Sequence, residues 1–394
     1  MSLELNKSQL QIRKAVRDFV RGEFKKEAIE ELVEGNAFPE GIWKKAAELG
    51  FIGIHFPEAV AGGGLGVFEN ALIAEDLCRG DSSVGCCLGR AGYGAELLLR
   101  FGTEPQKAAW LPKVAEGSVL CGAAFTEPGL GNDIARSQTV ATKTGDGWLI
   151  NGSKSFVVNA GPRAGCYIVL ARTDADAAEP ARGLSTFLVE SDRAGIRVAD
   201  VGKKLGCRLM PIGEVCFDQV RVPLDHLVGA ENHGYDQVAA FLNESRILAA
   251  AQALGMAQGA FERQGVKPAI EASIDMNKLE ALGPTVDKVK QTQPGAIIMV
   301  TAGKASTAFI REYLKTGQRP QFFGVSVLSA KALLGELGSA AHGIVIAQVV
   351  PSPLRTSYGI SKEFLAAAKN SPNCEYVRAM ERYGVGSNTW ICLL

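Results

Sequence analysis

The sequence lacks a net charge, a long apolar run and a cluster of metal-binding residues. Its 394 residues carry 42 basic and 42 acidic side chains. The formal net charge is therefore zero, which gives no electrostatic footprint for nucleic acid or an anionic membrane. No apolar run approaches the length of a transmembrane helix. Only four histidines are present, and none lies near a cysteine pair, so we expect no metal site.

The nine cysteines are scattered and form no CxxC motif. This usage is typical of a reducing compartment, where a buried cysteine acts as a small hydrophobic side chain. The first residues are charged and helical in pattern rather than an apolar signal segment. Together these features predict a cytoplasmic location.

What is present is enough apolar material for several cores, since hydrophobic residues make up 47% of the chain. The hydrophobic period changes along the sequence. Residues 1–120 have helical spacing, and residues 121–230 form short β-rich runs separated by turn residues. A long amphipathic helix is predicted from Tyr235 to Arg263.

Two polar loops stand out in the β-rich segment. The first, Phe125–Asp133 (FTEPGLGND), follows the apolar strand Cys121–Ala124, and its glycines allow close backbone approach to a flat, polar partner. The second is Asn151–Ala160 (NGSKSFVVNA). Its Asn-Gly pair is a strong hairpin signal, which places Phe156 on a strand with its ring available for stacking.

Together these loops resemble the flavin-binding β-domain of the acyl-CoA dehydrogenases, whose pattern is roughly TEPxxGSD followed by NGxKxWITN. Three further segments resemble the same family: FGTEPQK at 101–107, KLGCR at 204–208 and the strand ending VRVP at 220–223. The resemblance covers residues from about 5 to 263. It implies an N-terminal helical domain (1–120), a middle β-barrel or sandwich domain (121–230), and the first helix of a C-terminal helical bundle (231–263).

The resemblance implies an FAD cofactor and an acyl-CoA substrate. The flavin-contacting positions are then Phe125, Thr126, Gly131, Asn132, Phe156, Val157 and Val158. The substrate-binding positions are Asn132, Asn243 and Arg246. Phe156 stands where the family usually has Trp, and Val158 where it usually has Thr or Ser, which removes a side-chain donor. An electron-transfer flavoprotein partner and a homo-oligomer are also implied.

The general base is the missing part of this chemistry. Dehydrogenation needs a carboxylate that takes the α-proton. In some family members it directly precedes the arginine that is here Arg246, and that position is Ser245. Glu244 lies one residue away, about 100° around a helix, and we interpret it as a solvated helix charge rather than the base. In most family members the carboxylate lies late in the C-terminal bundle, and the helices expected there do not follow Arg263 in this sequence. We therefore expect impaired activity, with Glu244 the one weak catalytic candidate.

The pattern after Arg263 alternates between strand and helix, which indicates βαβ units. Strands are predicted at 266–274, 296–300, 321–327 and 343–350, and helices at 278–291, 304–314 and 329–337. Residues 264–360 resemble one lobe of type I periplasmic binding proteins for branched-chain amino acids. We assign 264–370 to this α/β lobe and leave the tail 371–394 unassigned.

The predicted fold is therefore a multidomain α+β protein with an N-terminal helical domain, a β-barrel or sandwich, the start of a helical bundle and an α/β lobe. Three functions remain open. The chain could be a flavin oxidoreductase, a solute-binding module of an ABC transporter, or a non-functional join of two genes.

Overall fold

The computed structural model describes residues 4–347 and Lys362, apart from positions 203, 205, 302, 326, 327 and 329. These residues form two compact units, divided between Val266 and Lys267. Among the described helices, none is both long and apolar enough to cross a membrane. The predicted tail, 371–394, lies outside the described residues.

The first unit begins with seven helices whose ends are set by local sequence. The capping box of Asn6 with Gln9 starts the first helix, and that of Thr103 with Gln106 starts the seventh. Their amphipathic faces surround a core that includes Phe19, Trp43 and Leu77. The helices are α1 Lys7–Glu23, α2 Lys26–Glu34, α3 Glu40–Glu48, α4 Val67–Gly80, α5 Ser82–Gly89, α6 Ala95–Phe101 and α7 Glu104–Ala115.

An eight-stranded, mostly antiparallel sheet follows. Its strands are β1 Leu120–Ala124, β2 Val140–Lys143, β3 Gly147–Val158, β4 Ala164–Arg172, β5 Leu184–Glu190, β6 Ile196–Asp200, β7 Ile212–Pro223 and β8 Leu227–Val228. Their order is β6-β7-β3-β1-β4-β5-β8, and β2 pairs with both β3 and β4. One face encloses a core around Trp148, Tyr167 and Phe187. The expected helical and β-rich segments are thus both present.

The predicted hairpin at Asn151-Gly152 is wrong, because β3 runs straight through this pair. The pairing register of β3 with β7 shifts between Ile150 and Gly152, which marks a β-bulge. A Cβ atom on Gly152 would lie 2.5 Å from Thr139 Oγ1. The glycine is therefore needed for a close approach to the residue just before β2 and not for a turn.

The long helix α8, Gly234–Arg263, has 30 residues and packs along α4. Two glycines allow this approach. A Cβ atom on Gly255 would lie 2.0 Å from the carbonyl oxygen of Glu75, and one on Gly259 would lie 2.2 Å from that of Arg79. The same helix carries Phe241 into the core of the helical region, which places α8 beside the two loops discussed below.

The second unit contains a three-stranded parallel sheet in the order β11-β10-β9. Its elements are α9 Gly283–Lys290, β9 Ala296–Met299, α10 Lys304–Leu314, β10 Gln321–Gly324, α11 Ala330–Leu337 and β11 Val345–Ile346. Phe309, Tyr313 and Phe322 lie in its own hydrophobic core.

Residues Val266 to Ile274, predicted to be a strand, form none and pair with no neighbour. Pro268 removes a backbone donor there, and Ile270 and Ile274 contact the apolar core of the unit without strand pairing. The last predicted strand, 343–350, is shorter, and its residues 348–350 lie outside the described residues.

Candidate functional site

The first polar loop and the second motif, which the structure places mainly in strand β3, are joined by a buried ion pair between Glu127 and Lys154. Lys154 Nζ lies 2.8 Å from Glu127 Oε1 and donates a second hydrogen bond of 3.2 Å to the carbonyl oxygen of Phe125. The same carboxylate accepts from Ser137 Oγ and from two backbone amides, Gln138 N at 2.7 Å and Thr139 N at 2.9 Å. The Lys154 side chain is fully buried.

The environment of this pair sets its charge states. Burial alone would raise the pKa of Glu127, but attraction to Lys154 and the hydrogen bonds from Lys154, Ser137 and Thr139 lower it to about 2. Burial lowers the pKa of Lys154 to about 8, against the opposing attraction of Glu127. Both groups are charged at neutral pH. Their attraction therefore holds the first loop, through Glu127, against Lys154 of β3, and we call this ion pair the clamp.

The clamp brings Thr126 and Phe156 side by side. The amide of Ser155 donates a 2.9 Å hydrogen bond to the carbonyl oxygen of Thr126. Phe156 sits in a bulge of β3 with φ +53°, and its residue surface is 68% exposed. A large aromatic ring held in a left-handed bulge and facing outward is suited to stacking on a flat ligand.

The remaining predicted cofactor positions differ in what they can offer. Gly131 and Asn132 are exposed on the first loop. Phe125 is buried and packs edge-on against Phe241, with ring centroids 5.8 Å apart. The Val157 side chain lies in the core of the sheet, so only its backbone could face a ligand. Val158 is half-buried and carries no polar side-chain atom.

Asn159, which sequence reasoning did not single out, anchors the end of the second loop. Its Nδ2 donates to the carbonyl oxygens of Arg90 at 2.7 Å, Ala91 at 3.1 Å and Cys121 at 3.0 Å. These bonds tie the loop after β3 to β1 and to the segment between α5 and α6. The one signal in the sequence is an asparagine directly after an apolar run, a residue type that tolerates the positive φ of +65° found here.

A pocket opens beside this clamp, between the N-terminal helices and α8. Its wall is mostly apolar and includes Phe56, Leu88, Phe241 and Leu248. Since Phe241 also contacts Phe125 of the first loop, the pocket adjoins the loop pair. Two of its lining residues, His55 and Glu96, are hydrogen-bonded to each other, with His55 Nε2 2.5 Å from Glu96 Oε1. The sequence analysis did not identify this pair.

The α8 residues divide between the pocket and the helix exterior. Glu244 and Ser245 line the pocket. Glu244 is not a free solvated charge, because Arg100 Nε donates to its carboxylate at 2.9 Å. Ser245 Oγ lies 3.3 Å from the Tyr93 hydroxyl.

Asn243 and Arg246, predicted to bind substrate, both lie on the exposed side of α8 and are absent from the described pocket lining. Arg246 Nη1 donates a 2.8 Å hydrogen bond to Asn243 Oδ1. The structure therefore brings Glu244 and Ser245 to the pocket and leaves Asn243 and Arg246 outside its described lining.

Comparison with known proteins connects this arrangement to one family. The acyl-CoA dehydrogenase N-terminal domain matches residues 6–118, and the acyl-CoA dehydrogenase middle domain matches residues 122–220. The short-chain-specific acyl-CoA dehydrogenase of Clostridium acetobutylicum is 33% identical over 289 residues, which is 73% of each chain.

Solved structures give the same result. An electron transferring flavoprotein of Acidaminococcus fermentans has a TM-score of 0.64 at 26% identity, covering 98% of this chain and 94% of that chain. An acyl-CoA dehydrogenase complexed with FAD from Bacillus anthracis has a TM-score of 0.61 at 26% identity, covering 80% of this chain and 52% of that chain. The chain, with its two clamped loops and adjoining pocket, belongs to the acyl-CoA dehydrogenase family.

Proposed function

We propose that this chain is an FAD-dependent oxidoreductase that removes hydrogen from the α and β carbons of an acyl-CoA thioester. One observation carries the proposal: the Glu127–Lys154 pair and the bond from Ser155 N to Thr126 O fix the first loop against the strand that exposes the Phe156 ring. Phe125 of the same loop packs against Phe241, which lines the apolar pocket. This arrangement offers a stacking surface for a flat cofactor and a neighbouring space for an acyl chain.

The residues present fit FAD. Phe156 would stack on the ring system, and the exposed loop around Gly131 and Asn132 would supply polar contacts. Gly129 and Gly131 have positive φ and open space at their Cβ positions, so the loop is free to approach a ligand with its backbone. When bound, FAD supplies the acceptor for the hydride that leaves the β carbon. The FAD-complexed relative from Bacillus anthracis supports this assignment.

Proton removal must come from the chain itself. Glu244 is the carboxylate that α8 contributes to the pocket, and Arg100 Nε donates a 2.9 Å hydrogen bond to it. The same bond restrains it, and Ser245 stands at the family position one residue further on. We therefore expect slow proton removal, since loss of a well-placed general base reduces rates by roughly a hundred- to ten-thousand-fold.

The proposed partner that takes the electrons is an electron-transfer flavoprotein, and the proposed location is the cytoplasm. The Acidaminococcus fermentans structure described as an electron transferring flavoprotein supports the first part. A homo-oligomer follows from the family resemblance and stays a prediction.

The test is anaerobic mixing of FAD-loaded protein with saturated acyl-CoAs of several chain lengths, followed by flavin absorbance. We expect slow bleaching that Glu244→Gln abolishes. The matched control is Glu262→Gln, because Glu262 is also an α8 glutamate paired with an arginine, Arg79. No bleaching with any acyl-CoA would contradict the proposed function, and bleaching unchanged in Glu244→Gln would place the base elsewhere.

A second candidate function, binding of a branched-chain amino acid by the segment 264–370, has one observation in its favour. That segment contains the parallel strands β9, β10 and β11 with helices between them, and parallel sheets of this kind bind ligands beyond the carboxyl ends of their strands. Calorimetric titration with leucine, isoleucine and valine tests it. Heat of binding would support a solute-binding module, and its absence with all three would remove this candidate.

The third possibility is a join of two unrelated genes, with the helical bundle after α8 replaced. In its favour, the matches to the two family domains end at residue 220 and the parallel sheet lies beyond α8. Sequencing an independent clone across codon 264 distinguishes it, because the same sequence on both sides of that codon would argue against an artificial join.

A further inference from the structure

The pocket beside the clamped loops contains polar groups that an alkyl chain does not need. Most of its wall is apolar, yet His55 and Glu96 lie within it with side chains only 9% and 19% exposed. Placing a carboxylate and an imidazole among hydrophobic side chains costs free energy unless their hydrogen bonds are completed. A pocket dedicated to unsubstituted alkyl groups would gain from apolar residues at both positions.

The pair completes only part of its own hydrogen-bonding capacity. His55 Nε2 meets Glu96 Oε1 at 2.5 Å. The other ring nitrogen, Nδ1, is buried without any hydrogen-bond partner. The imidazole is also fixed by edge-on packing against Phe56, with ring centroids 4.8 Å apart.

The unused positions restrict the chemistry of a matching ligand. Glu96 can only accept a hydrogen bond as a carboxylate, whereas His55 Nδ1 accepts in the neutral ring and donates in the charged one. A hydroxyl group that enters the pocket can donate to the Glu96 carboxylate, and it brings no charge of its own into the apolar wall. A second carboxylate would be repelled by Glu96, and a methyl terminus would leave the pair incomplete.

We propose that this pocket selects acyl groups that carry a hydroxyl, with the His55–Glu96 pair as the specificity-determining contact. The proposal rests on the proposed acyl-CoA function, because it assumes that the acyl chain enters this pocket. It names the substrate class of that site: hydroxyacyl thioesters in preference to alkyl or dicarboxylic ones.

The test is calorimetric titration of the FAD-loaded protein with non-reactive CoA thioethers. The probes are S-butyl, S-hexyl and S-octyl coenzyme A, each with a methyl, a hydroxyl or a carboxylate at the chain end. We expect the hydroxyl form of at least one length to bind about tenfold more tightly than its methyl counterpart, the effect of one hydrogen bond to a charged group. The carboxylate form should bind most weakly.

Glu96→Met supplies the decisive variant, since it keeps the side-chain length and removes the carboxylate. It should abolish or reverse the hydroxyl preference, whereas the matched control Glu116→Met, at an exposed glutamate after α7, should keep it. Equal or tighter binding of every methyl form by the wild type, or an unchanged preference in Glu96→Met, would overturn the inference while leaving the proposed function intact. If no thioether binds, both fail together.

Discussion

Two acid–base pairs of the first unit differ in how many of their polar atoms are hydrogen-bonded. Glu127 and Lys154 are surrounded by partners: the carboxylate accepts from Lys154, Ser137 and two backbone amides. His55 and Glu96 have each other, and the Nδ1 atom of the imidazole is buried without a partner. The first pair joins the loop that contains Glu127 to strand β3, and the second pair lines a pocket.

The difference indicates different uses of buried charge. A fully hydrogen-bonded ion pair fixes one arrangement of the chain, since breaking it leaves an uncompensated charge in the interior. An incompletely bonded pair in a pocket wall contributes little to the fold and retains bonding capacity for a ligand. The Glu127–Lys154 pair therefore stabilises the structure of the site, and the His55–Glu96 pair is available to contact a ligand in the pocket.

The largest effect should come from Lys154→Met. This change leaves Glu127 buried without its cation, and we expect a loss of about 3 to 5 kcal/mol in the free energy of unfolding. Denaturant unfolding followed by circular dichroism measures it. The control Lys143→Met breaks an exposed pair with Glu231 and should cost about 1 kcal/mol or less. Equal costs for the two lysines would show that the clamp is not special.

Acidification should affect the clamp next. The pKa of Glu127 in the folded chain is lowered to about 2, so its contribution to stability is present above the unfolded pKa and is lost as the pH falls through the folded one. We expect the unfolding midpoint of the wild type to decline between about pH 4.5 and pH 2. The double variant Glu127→Leu/Lys154→Met should decline less over this range. Parallel curves would place the acid sensitivity in other carboxylates.

The smallest change in stability is expected for Glu96→Met. Removing this carboxylate relieves a half-buried charge and leaves His55 Nε2 unbonded in addition to Nδ1, so the two effects nearly cancel. The free energy of unfolding should stay within about 1 kcal/mol of the wild type. A loss as large as that of Lys154→Met would mean that the pocket pair holds the fold together, and the contrast between the pairs would disappear.

Local signals in the sequence predicted the helices and strands whose ends are marked by clear start and stop residues. The helix predicted from Lys304 to Leu314 matches α10, and the long helix predicted from Tyr235 to Arg263 differs from α8 by one residue. The Asn151-Gly152 pair led to a wrong prediction, because its glycine makes room for Thr139, which lies just before β2. Local turn chemistry could not distinguish a hairpin from a bulge at this position.

The sequence predicted the parts of the site that lie within a single motif. It did not predict the parts that depend on tertiary contacts. The positions of Thr126 and Phe156 followed from their motifs. The clamp joins residues 27 positions apart and the pocket pair joins residues 41 positions apart, so no periodicity connects them. Opposite charges in the two motif loops, Glu127 and Lys154, were the one available hint.

The central claim is that the clamped loops form an FAD site, and titration of the chain with FAD, followed by flavin fluorescence, tests it most directly. The account predicts saturable binding that Phe156→Ala weakens by about three- to tenfold through lost stacking. Phe68→Ala, which removes a similarly exposed ring from α4, should leave the affinity unchanged. Absence of saturable binding, or equal affinity in the wild type and Phe156→Ala, would contradict the account.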